Sequence, residues 1–145
     1  MKDQKKIGEA LMQQALIVRK NAYAPYSRFA VGAALLSQGG QVFLGCNWEN
    51  AAYPAGLCAE RSALAQAISA GCRDFLALAL VGGPVESKED VLDECFPCGM
   101  CLQALREFCS QDFPIYLFAQ GQIRQVTLGQ LLPYGFSSDH LPQEE

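Results

Sequence analysis

The sequence contains a single histidine, so acid–base chemistry at neutral pH has to come from other side chains. Signs of export and membrane insertion are also missing. The first ten residues, MKDQKKIGEA, carry charges where a secretory signal needs an apolar segment. Apolar runs such as residues 75–81 are far too short to span a bilayer. We therefore expect a cytoplasmic protein with no membrane partner.

An excess of basic residues is missing as well. Eleven lysines and arginines stand against fifteen aspartates and glutamates, which gives a formal charge of −4. A surface that binds nucleic acid normally concentrates positive charge, whereas the basic residues here are scattered. The composition therefore argues against a polynucleotide ligand. With 145 residues, half of them apolar, the chain is long enough to form one substantial core.

Seven cysteines stand out against these absences. In a chain without an export signal, cysteines are expected to be reduced thiols or metal ligands rather than disulfide partners. Buried cysteine often serves as a small apolar residue. We expect this role for Cys46, Cys72 and Cys109.

Hydrophobic periodicity predicts one layered α/β domain. The predicted elements are a helix at 3–20, strands at 29–36 and 41–46, a helix at 57–70 capped by Gly71, a strand at 75–81 broken by turn residues 82–84, a helix starting at Pro97, and strands at 115–118 and 123–127. The last two strands should be antiparallel, because their connection is too short for a parallel crossover. We predict a three-layer α-β-α sandwich around a mixed sheet of about five strands. Residues 1–136 would form this domain and 137–145 a loosely held polar tail.

The candidate chemistry lies at the starts of two predicted helices. Cys98 and Cys101 are one helical turn apart behind a proline, and Cys58 opens the other helix two residues before Glu60. Helix N-termini are electropositive and favour the thiolates that zinc requires. Three ligands leave a position for water, as in catalytic zinc sites. Zinc deaminases combine a ligand two residues before a non-ligating glutamate with a later Pro-Cys-x-x-Cys.

Other interpretations of these cysteines stay open at this point. A closed structural zinc site could use Cys95 as a fourth ligand. The Cys95, Cys98 and Cys101 spacing also resembles part of an iron–sulfur run, although the fourth cysteine and its following proline are missing. Glu60 could simply be an acidic residue favoured in the first turn of a helix.

At this level of detail the sequence resembles the small, homotetrameric, zinc-dependent cytidine deaminases. The resemblance covers nearly the whole chain. Besides the zinc motif it rests on four further segments: Ala24-Pro-Tyr-Ser-Arg-Phe29, Gly45-Cys-Asn-Trp-Glu-Asn-Ala51, Cys58-Ala-Glu-Arg61 and Leu131-Leu-Pro-Tyr-Gly-Phe136. It implies hydrolytic deamination of cytidine and 2′-deoxycytidine, with one Zn²⁺ per subunit held by Cys58, Cys98 and Cys101.

The resemblance also implies roles for individual residues. Glu60 would carry protons while zinc-bound hydroxide attacks C4. Asn47 and Glu49 would bind the ribose hydroxyls, and Phe29 would stack on the pyrimidine. The remaining substrate contacts would come from Ala59, Ala51, Tyr53 and Phe136. Of these, Phe136 would reach a neighbouring subunit's site, and the same is expected of Ala51 and Tyr53.

The net charge of the predicted zinc centre suggests a role for Arg61. Three thiolates around Zn²⁺ carry a net charge of −1, which opposes ionisation of the bound water. The two helix N-termini and Arg61 could withdraw charge from the sulfurs. The resemblance likewise places an arginine here, hydrogen-bonded to ligand thiolates. A solvated surface arginine is the simpler alternative.

Three rival functions remain open. A polynucleotide-editing deaminase conflicts with the acidic composition and with an antiparallel final strand pair. A blasticidin-type antibiotic deaminase shares the three-cysteine site, but Asn47, Glu49 and Phe136 favour a nucleoside. A non-catalytic, zinc-stabilised binding module conflicts with Glu60 beside an open metal position.

Overall fold

The computed structural model describes residues 2–144 and contains one five-stranded sheet with helices on both faces. The helices and strands are α1 (Lys2–Arg19), β1 (Phe29–Ser37), β2 (Val42–Cys46), α2 (Ala59–Ser69), β3 (Phe75–Pro84), α3 (Gly99–Phe108), β4 (Pro114–Ala119), β5 (Gln122–Thr127) and α4 (Leu128–Leu131). Short 3₁₀ turns cover Tyr53–Ala55, Glu89–Val91 and Ser138–His140.

The sheet order is β2-β1-β3-β4-β5, and it is mixed as predicted. β1 pairs antiparallel with both β2 and β3, and β3 pairs parallel with β4. The final pair, β4 and β5, is antiparallel. The two-residue connection between them allows only this geometry, which confirms the prediction.

Each face of the sheet buries its own apolar cluster, as expected from the alternation of side chains along strands. On one face α1 packs through Leu11, Met12 and Ala15 against β1, β3 and β4. On the other face α2 and α3 cover Leu35, Leu78 and neighbouring residues. The predicted three-layer α-β-α sandwich is therefore confirmed. The same arrangement brings the N-termini of α2 and α3 to one end of one face.

Two predicted boundaries were wrong. Residues 82–84 do not break the third strand, because β3 continues through Pro84 in register with β1. The glycines there serve close packing rather than a turn: a Cβ on Gly82 would lie 2.8 Å from Cys95 Sγ, and one on Gly83 would lie 2.4 Å from Leu92 Cδ2. Pro97 is not the first residue of α3, since Cys98 is the N-cap and the helix begins at Gly99.

The other helix boundaries follow the expected capping chemistry. α2 begins at Ala59 with Cys58 as its N-cap, one to two residues later than predicted. Gly71, just after the helix, has φ +88°, the left-handed conformation expected of a capping glycine. Within residues 2–144, no helix is both long and apolar enough to cross a membrane.

The C-terminal segment is partly ordered against the domain. Ser137 is buried, and residues 138–140 form a 3₁₀ turn that is closed by a reciprocal Ser137–His140 capping interaction. The boundary between the domain and a loosely held tail at residue 137 stays a prediction. The last residue lies outside the described part of the chain.

Candidate active site

Three cysteine thiols meet where the two helices begin. Cys58 is the N-cap of α2 and Cys98 the N-cap of α3, and their carbonyls accept the first helical hydrogen bonds, from Ser62 N and Leu102 N, at 3.0 Å each. Cys101 follows in the first turn of α3 and is fully buried. The spacing of an N-cap and a residue three positions later places both α3 thiols on the same side of the helix start.

The spacing of the sulfurs fits zinc. Tetrahedral Zn–S bonds of about 2.3 Å put neighbouring sulfurs about 3.8 Å apart. Cys98 Sγ lies 3.5 Å from Cys101 Sγ and 4.0 Å from Cys58 Sγ, and all three sulfurs lie within 4.8 Å of one another. Within residues 2–144, no histidine, further cysteine or acidic side chain lies close enough to join this cluster as a fourth ligand. The donor set therefore fits a zinc ion with one position left open, and Cys95 is not a fourth ligand.

The thiols are electrostatically prepared for a cation. A hydrogen bond from the Cys101 thiol, with a smaller contribution from Arg61, lowers the pKa of Cys58 to about 5, although burial opposes this. The same Cys58–Cys101 bond raises the pKa of the Cys101 thiol. Arg61 Nη2 lies 3.7 Å from Cys58 Sγ. The interactions of Arg61 with the Cys58 and Cys101 sulfurs raise the pKa of its guanidinium, so its positive charge sits at the centre.

Glu60 lies beside the thiols in the first turn of α2 and is 5% exposed. Burial raises the pKa of its carboxyl to about 6. A general acid–base group is most effective when its pKa lies close to the working pH. A buried carboxyl with this pKa next to a metal site is suited to accept and release a proton.

The thiol cluster borders a pocket of about 620 Å³. Cys58 and Arg61 form one part of its wall, and Asn47 and Glu49 form another. The remaining lining residues are Tyr26, Ser27, Trp48, Asn50, Tyr53, Pro54, Gly56, Leu57 and Met100. The volume is in the range of small-molecule sites, and the wall combines aromatic rings with a few polar groups.

The polar groups of Asn47 and Glu49 are held by the start of β1. Asn47 Oδ1 accepts a hydrogen bond from Val31 N at 2.8 Å, and its Nδ2 donates to Phe29 O at 2.8 Å. Glu49 accepts three hydrogen bonds from Tyr26 and Ser27. The hydrogen bond from the Ser27 hydroxyl is the main cause that lowers the pKa of the Glu49 carboxyl.

The predicted substrate residues fall into two groups. Asn47, Glu49 and Tyr53 line the pocket within this chain. Four others are outside the pocket wall formed by the described residues: Phe29, Ala51, Ala59 and Phe136. Phe29 and Phe136 are 40% and 56% exposed, so their rings are available to a ligand or another chain. The contacts assigned to these four stay predictions.

Sequence reasoning overlooked several pocket residues. The sequence motifs assign no individual role to five residues that line the pocket: Tyr26, Ser27, Trp48, Leu57 and Met100. Ser27 belongs to segment 24–29, on which the family resemblance rests, but nothing in that segment indicates its contact with Glu49.

The fold and the site together define a zinc-binding α/β enzyme with an open three-cysteine centre and a buried carboxyl group beside it. Residues 5–117 match the family model described as the cytidine and deoxycytidylate deaminase zinc-binding region. The chain belongs to this family of hydrolytic deaminases.

Individual relatives agree with this family assignment. The chain is 44% identical to a cytidine deaminase of Sporosarcina psychrophila over 137 residues, covering 92% of this chain and 93% of the relative. It is 43% identical to a cytidine deaminase of Halalkalibacterium halodurans over 134 residues, covering 92% and 96%. The crystal structure of a cytidine deaminase from Burkholderia pseudomallei superposes with a TM-score of 0.78 at 43% identity, covering 88% and 98%. A blasticidin-S deaminase of Bacillus cereus is 26% identical over 108 residues, covering 74% and 76%.

Proposed function

We propose that the protein hydrolyses cytidine and 2′-deoxycytidine to uridine and 2′-deoxyuridine, releasing ammonia. The observation that carries this proposal is the composition of one pocket. Its wall includes a zinc-competent thiol, Cys58, and a hydroxyl-binding pair, Asn47 and Glu49, and the acid–base carboxylate Glu60 adjoins Cys58. The cytidine deaminases at 43–44% identity over more than nine-tenths of the chain support the same substrate class.

Cys58, Cys98 and Cys101 would hold the metal. When bound, zinc supplies Lewis-acid activation of the hydrolytic water. Glu60 takes a proton from that water and delivers it to N3 of the pyrimidine as C4 is attacked. It then carries a second proton to the 4-amino group, which leaves as ammonia. Burial of Glu60 supports this role, because a carboxyl with a pKa of about 6 both takes up and gives away a proton near neutral pH.

Substrate binding is assigned by hydrogen-bonding capacity. Asn47 has one amide N–H left after its contact with Phe29, and Glu49 has an acceptor site left after its three contacts with the turn. A sugar hydroxyl is both a donor and an acceptor, so it complements this pair. Phe29 would stack on the pyrimidine.

We further propose that the active unit is a homotetramer in which neighbouring subunits complete each site. Phe136, Ala51 and Tyr53 would take part across these contacts, and Ala59 would contact the substrate from the start of α2. The 75% exposure of Tyr53 and the 56% exposure of Phe136 support this, since exposed aromatic rings are typical of interaction surfaces. Seven free cysteines, three of them needed as metal ligands, favour a reducing, cytoplasmic location. Deamination of nucleosides there would serve pyrimidine salvage.

An ultraviolet assay on protein of measured zinc content tests the proposal. The substrates are cytidine, 2′-deoxycytidine, CMP and blasticidin S, each followed by its loss of absorbance on deamination. We expect turnover of the two nucleosides and little or none of CMP or blasticidin S. Preferred turnover of blasticidin S would replace the proposal with the antibiotic deaminase. Zinc-loaded protein inactive on all four would favour a binding module.

The matched variant is Glu60→Gln, which is nearly isosteric but cannot shuttle protons. We expect zinc to remain bound at about one ion per chain and kcat to fall by about 10²- to 10⁴-fold, the usual contribution of acid–base catalysis. Turnover within threefold of the parent enzyme would remove Glu60 from the mechanism.

A further inference from the structure

The turn before β1 holds the Glu49 carboxylate with three hydrogen bonds. Oε1 accepts hydrogen bonds from the backbone N–H groups of Tyr26 at 3.0 Å and Ser27 at 3.1 Å. Oε2 accepts the Ser27 hydroxyl at 2.5 Å. The two segments are 22 residues apart in sequence, so this contact exists only in the folded chain.

The direction of the Ser27 hydroxyl is fixed by a second hydrogen bond. Phe29 N donates to Ser27 Oγ at 3.1 Å, so the oxygen serves as an acceptor on that side. Its single proton is therefore directed to Glu49 Oε2. Ser27 thus links the backbone of Phe29 to the carboxylate through one oriented hydroxyl.

The three donors leave little freedom to the carboxylate. A carboxylate has about four acceptor positions, and three of them are filled by the turn. Ser27 and Glu49 both line the pocket, and so does Asn47 with its one uncommitted N–H. Without the Ser27 hydroxyl, Oε2 would lose its donor and the carboxylate could rotate about its remaining anchor at Oε1.

We propose that Ser27 is a positioning and specificity-determining residue, whose hydroxyl orients Glu49 so that it accepts the proton of a sugar hydroxyl. This inference rests on the proposed binding of a nucleoside by Asn47 and Glu49. The simpler role, a local turn contact between Ser27 and Phe29, accounts for one of the two hydrogen bonds of the hydroxyl and leaves the other unexplained.

The turn itself should survive removal of the hydroxyl. Arg28 N donates to Ala24 O at 3.0 Å, and Val85 N donates to Arg28 O at 2.8 Å, so backbone contacts close the turn and tie it to the end of β3. Ser27 is exposed, so Ser27→Ala opens no cavity and Ser27→Thr has room for its methyl group. Changes in kinetics can therefore be separated from loss of folding.

The experiment compares cytidine with 2′,3′-dideoxycytidine, which offers no hydroxyl at these sugar positions. For Ser27→Ala we expect kcat/KM for cytidine to fall about tenfold, mainly through KM, since one hydrogen bond to a charged group is lost. The value for dideoxycytidine should change less than threefold. Ser27→Thr keeps the hydroxyl and should restore most of the loss.

The matched control is Ser37→Ala. The Ser37 hydroxyl also accepts a local backbone N–H, from Gln41 at 3.1 Å, but it lies at the opposite end of β1, about 26 Å along the strand from Phe29, and has no carboxylate partner among the described residues. We expect the control to leave the ratio of kcat/KM for the two substrates unchanged. The inference would be overturned if Ser27→Ala lowered kcat/KM equally for both substrates, or for neither.

Glu49→Gln separates this inference from the function on which it rests. A selective loss on cytidine in Glu49→Gln without one in Ser27→Ala would leave Glu49 as the sugar contact and refute the role of Ser27. Failure of the proposed function would instead appear as parent enzyme that deaminates neither nucleoside. In that case Trp48, the single tryptophan of the chain and a pocket residue, reports binding by its fluorescence. Equal cytidine affinity in parent and Ser27→Ala would then refute the inference by itself.

Discussion

Replacing Arg61 with glutamine removes one positive charge from the thiol cluster and leaves a shorter, neutral polar side chain. Its Nη2 lies 3.7 Å from Cys58 Sγ, and its guanidinium also interacts with Cys101. Three thiolates around Zn²⁺ carry a net charge of −1, which Arg61 neutralises. We expect Arg61→Gln to bind zinc but to make ionisation of the hydrolytic water harder.

The magnitude follows from the distance. Two unit charges 3.7 Å apart interact by about 1 kcal/mol in water and about 4 kcal/mol at an effective dielectric constant of 20. Arg61 is partly exposed, and the charge that it offsets is spread over the whole metal centre, so about 1–2 kcal/mol is the appropriate figure. This corresponds to about one pKa unit. Removing a cation disfavours the ionised, more negative form of the hydrolytic water. The acidic limb of the pH profile of kcat should therefore move up by about one pH unit, and kcat at neutral pH should fall about tenfold.

The assay measures zinc per chain and kcat from pH 5 to pH 9 for the parent, Arg61→Gln and Arg61→Lys. Lysine keeps the charge and should recover part of the loss. Arg73→Gln is the control, because Arg73 is exposed and donates only to the backbone carbonyls of Ile68 and Cys72. An unchanged profile and kcat in fully zinc-loaded Arg61→Gln would refute the charge argument. Loss of zinc in proportion to activity would show that Arg61 serves metal binding instead.

Two further predictions concern the buried Arg19 and His140 near the C-terminus. Arg19 is 7% exposed and donates three hydrogen bonds of 2.8–3.0 Å to backbone carbonyls where β1 and β3 pair. Arg19→Met should therefore lower the free energy of unfolding by about 3–5 kcal/mol in urea at fixed protein concentration, and a loss below about 1 kcal/mol would contradict this. The His140 ring stacks on Phe136 at a centroid distance of 5.3 Å, so His140→Ala should raise KM for cytidine about two- to tenfold if Phe136 meets substrate. His140→Tyr, which keeps an aromatic ring, should stay near the parent value; equal KM in the alanine variant would leave the stack without a role in binding.

The fold could be predicted largely from local patterns. Period and length indicated every major helix and strand, and the short connection after β4 fixed the orientation of β5. The errors arose where the same residue type is favoured both by a local turn and by packing against distant residues. Gly82 and Gly83 look like a turn in the sequence, but neighbouring side chains press so closely on the strand that no Cβ fits there.

The candidate site was likewise predictable only in part. The thiol cluster could be predicted because Cys58 before Glu60 and the later Pro-Cys-x-x-Cys match the pattern of zinc deaminases. Spacing alone left Cys95 open as a fourth ligand, and only the structure separates it from the other three thiols. The Ser27–Glu49 contact left no such trace, because it joins the turn before β1 to the extended segment after β2, which only the folded hairpin brings together. Contacts with another subunit, as proposed for Phe136, likewise have no counterpart within one chain.

The backbone connects the two ends of the pocket directly. Trp48 N donates to Leu57 O at 3.1 Å, and Leu57 N donates to Trp48 O at 3.0 Å. Glu49 follows one partner of this pair and Cys58 follows the other, so the proposed sugar contact and a metal ligand are each one residue from the same antiparallel bridge. Such a pair holds its Cα atoms about 5.5 Å apart. The separation between the proposed sugar contact and the thiol cluster is thereby built into the backbone. In the proposed function, a nucleoside anchored at its hydroxyl would arrive with C4 already placed, an advantage in orientation that a free base would lack.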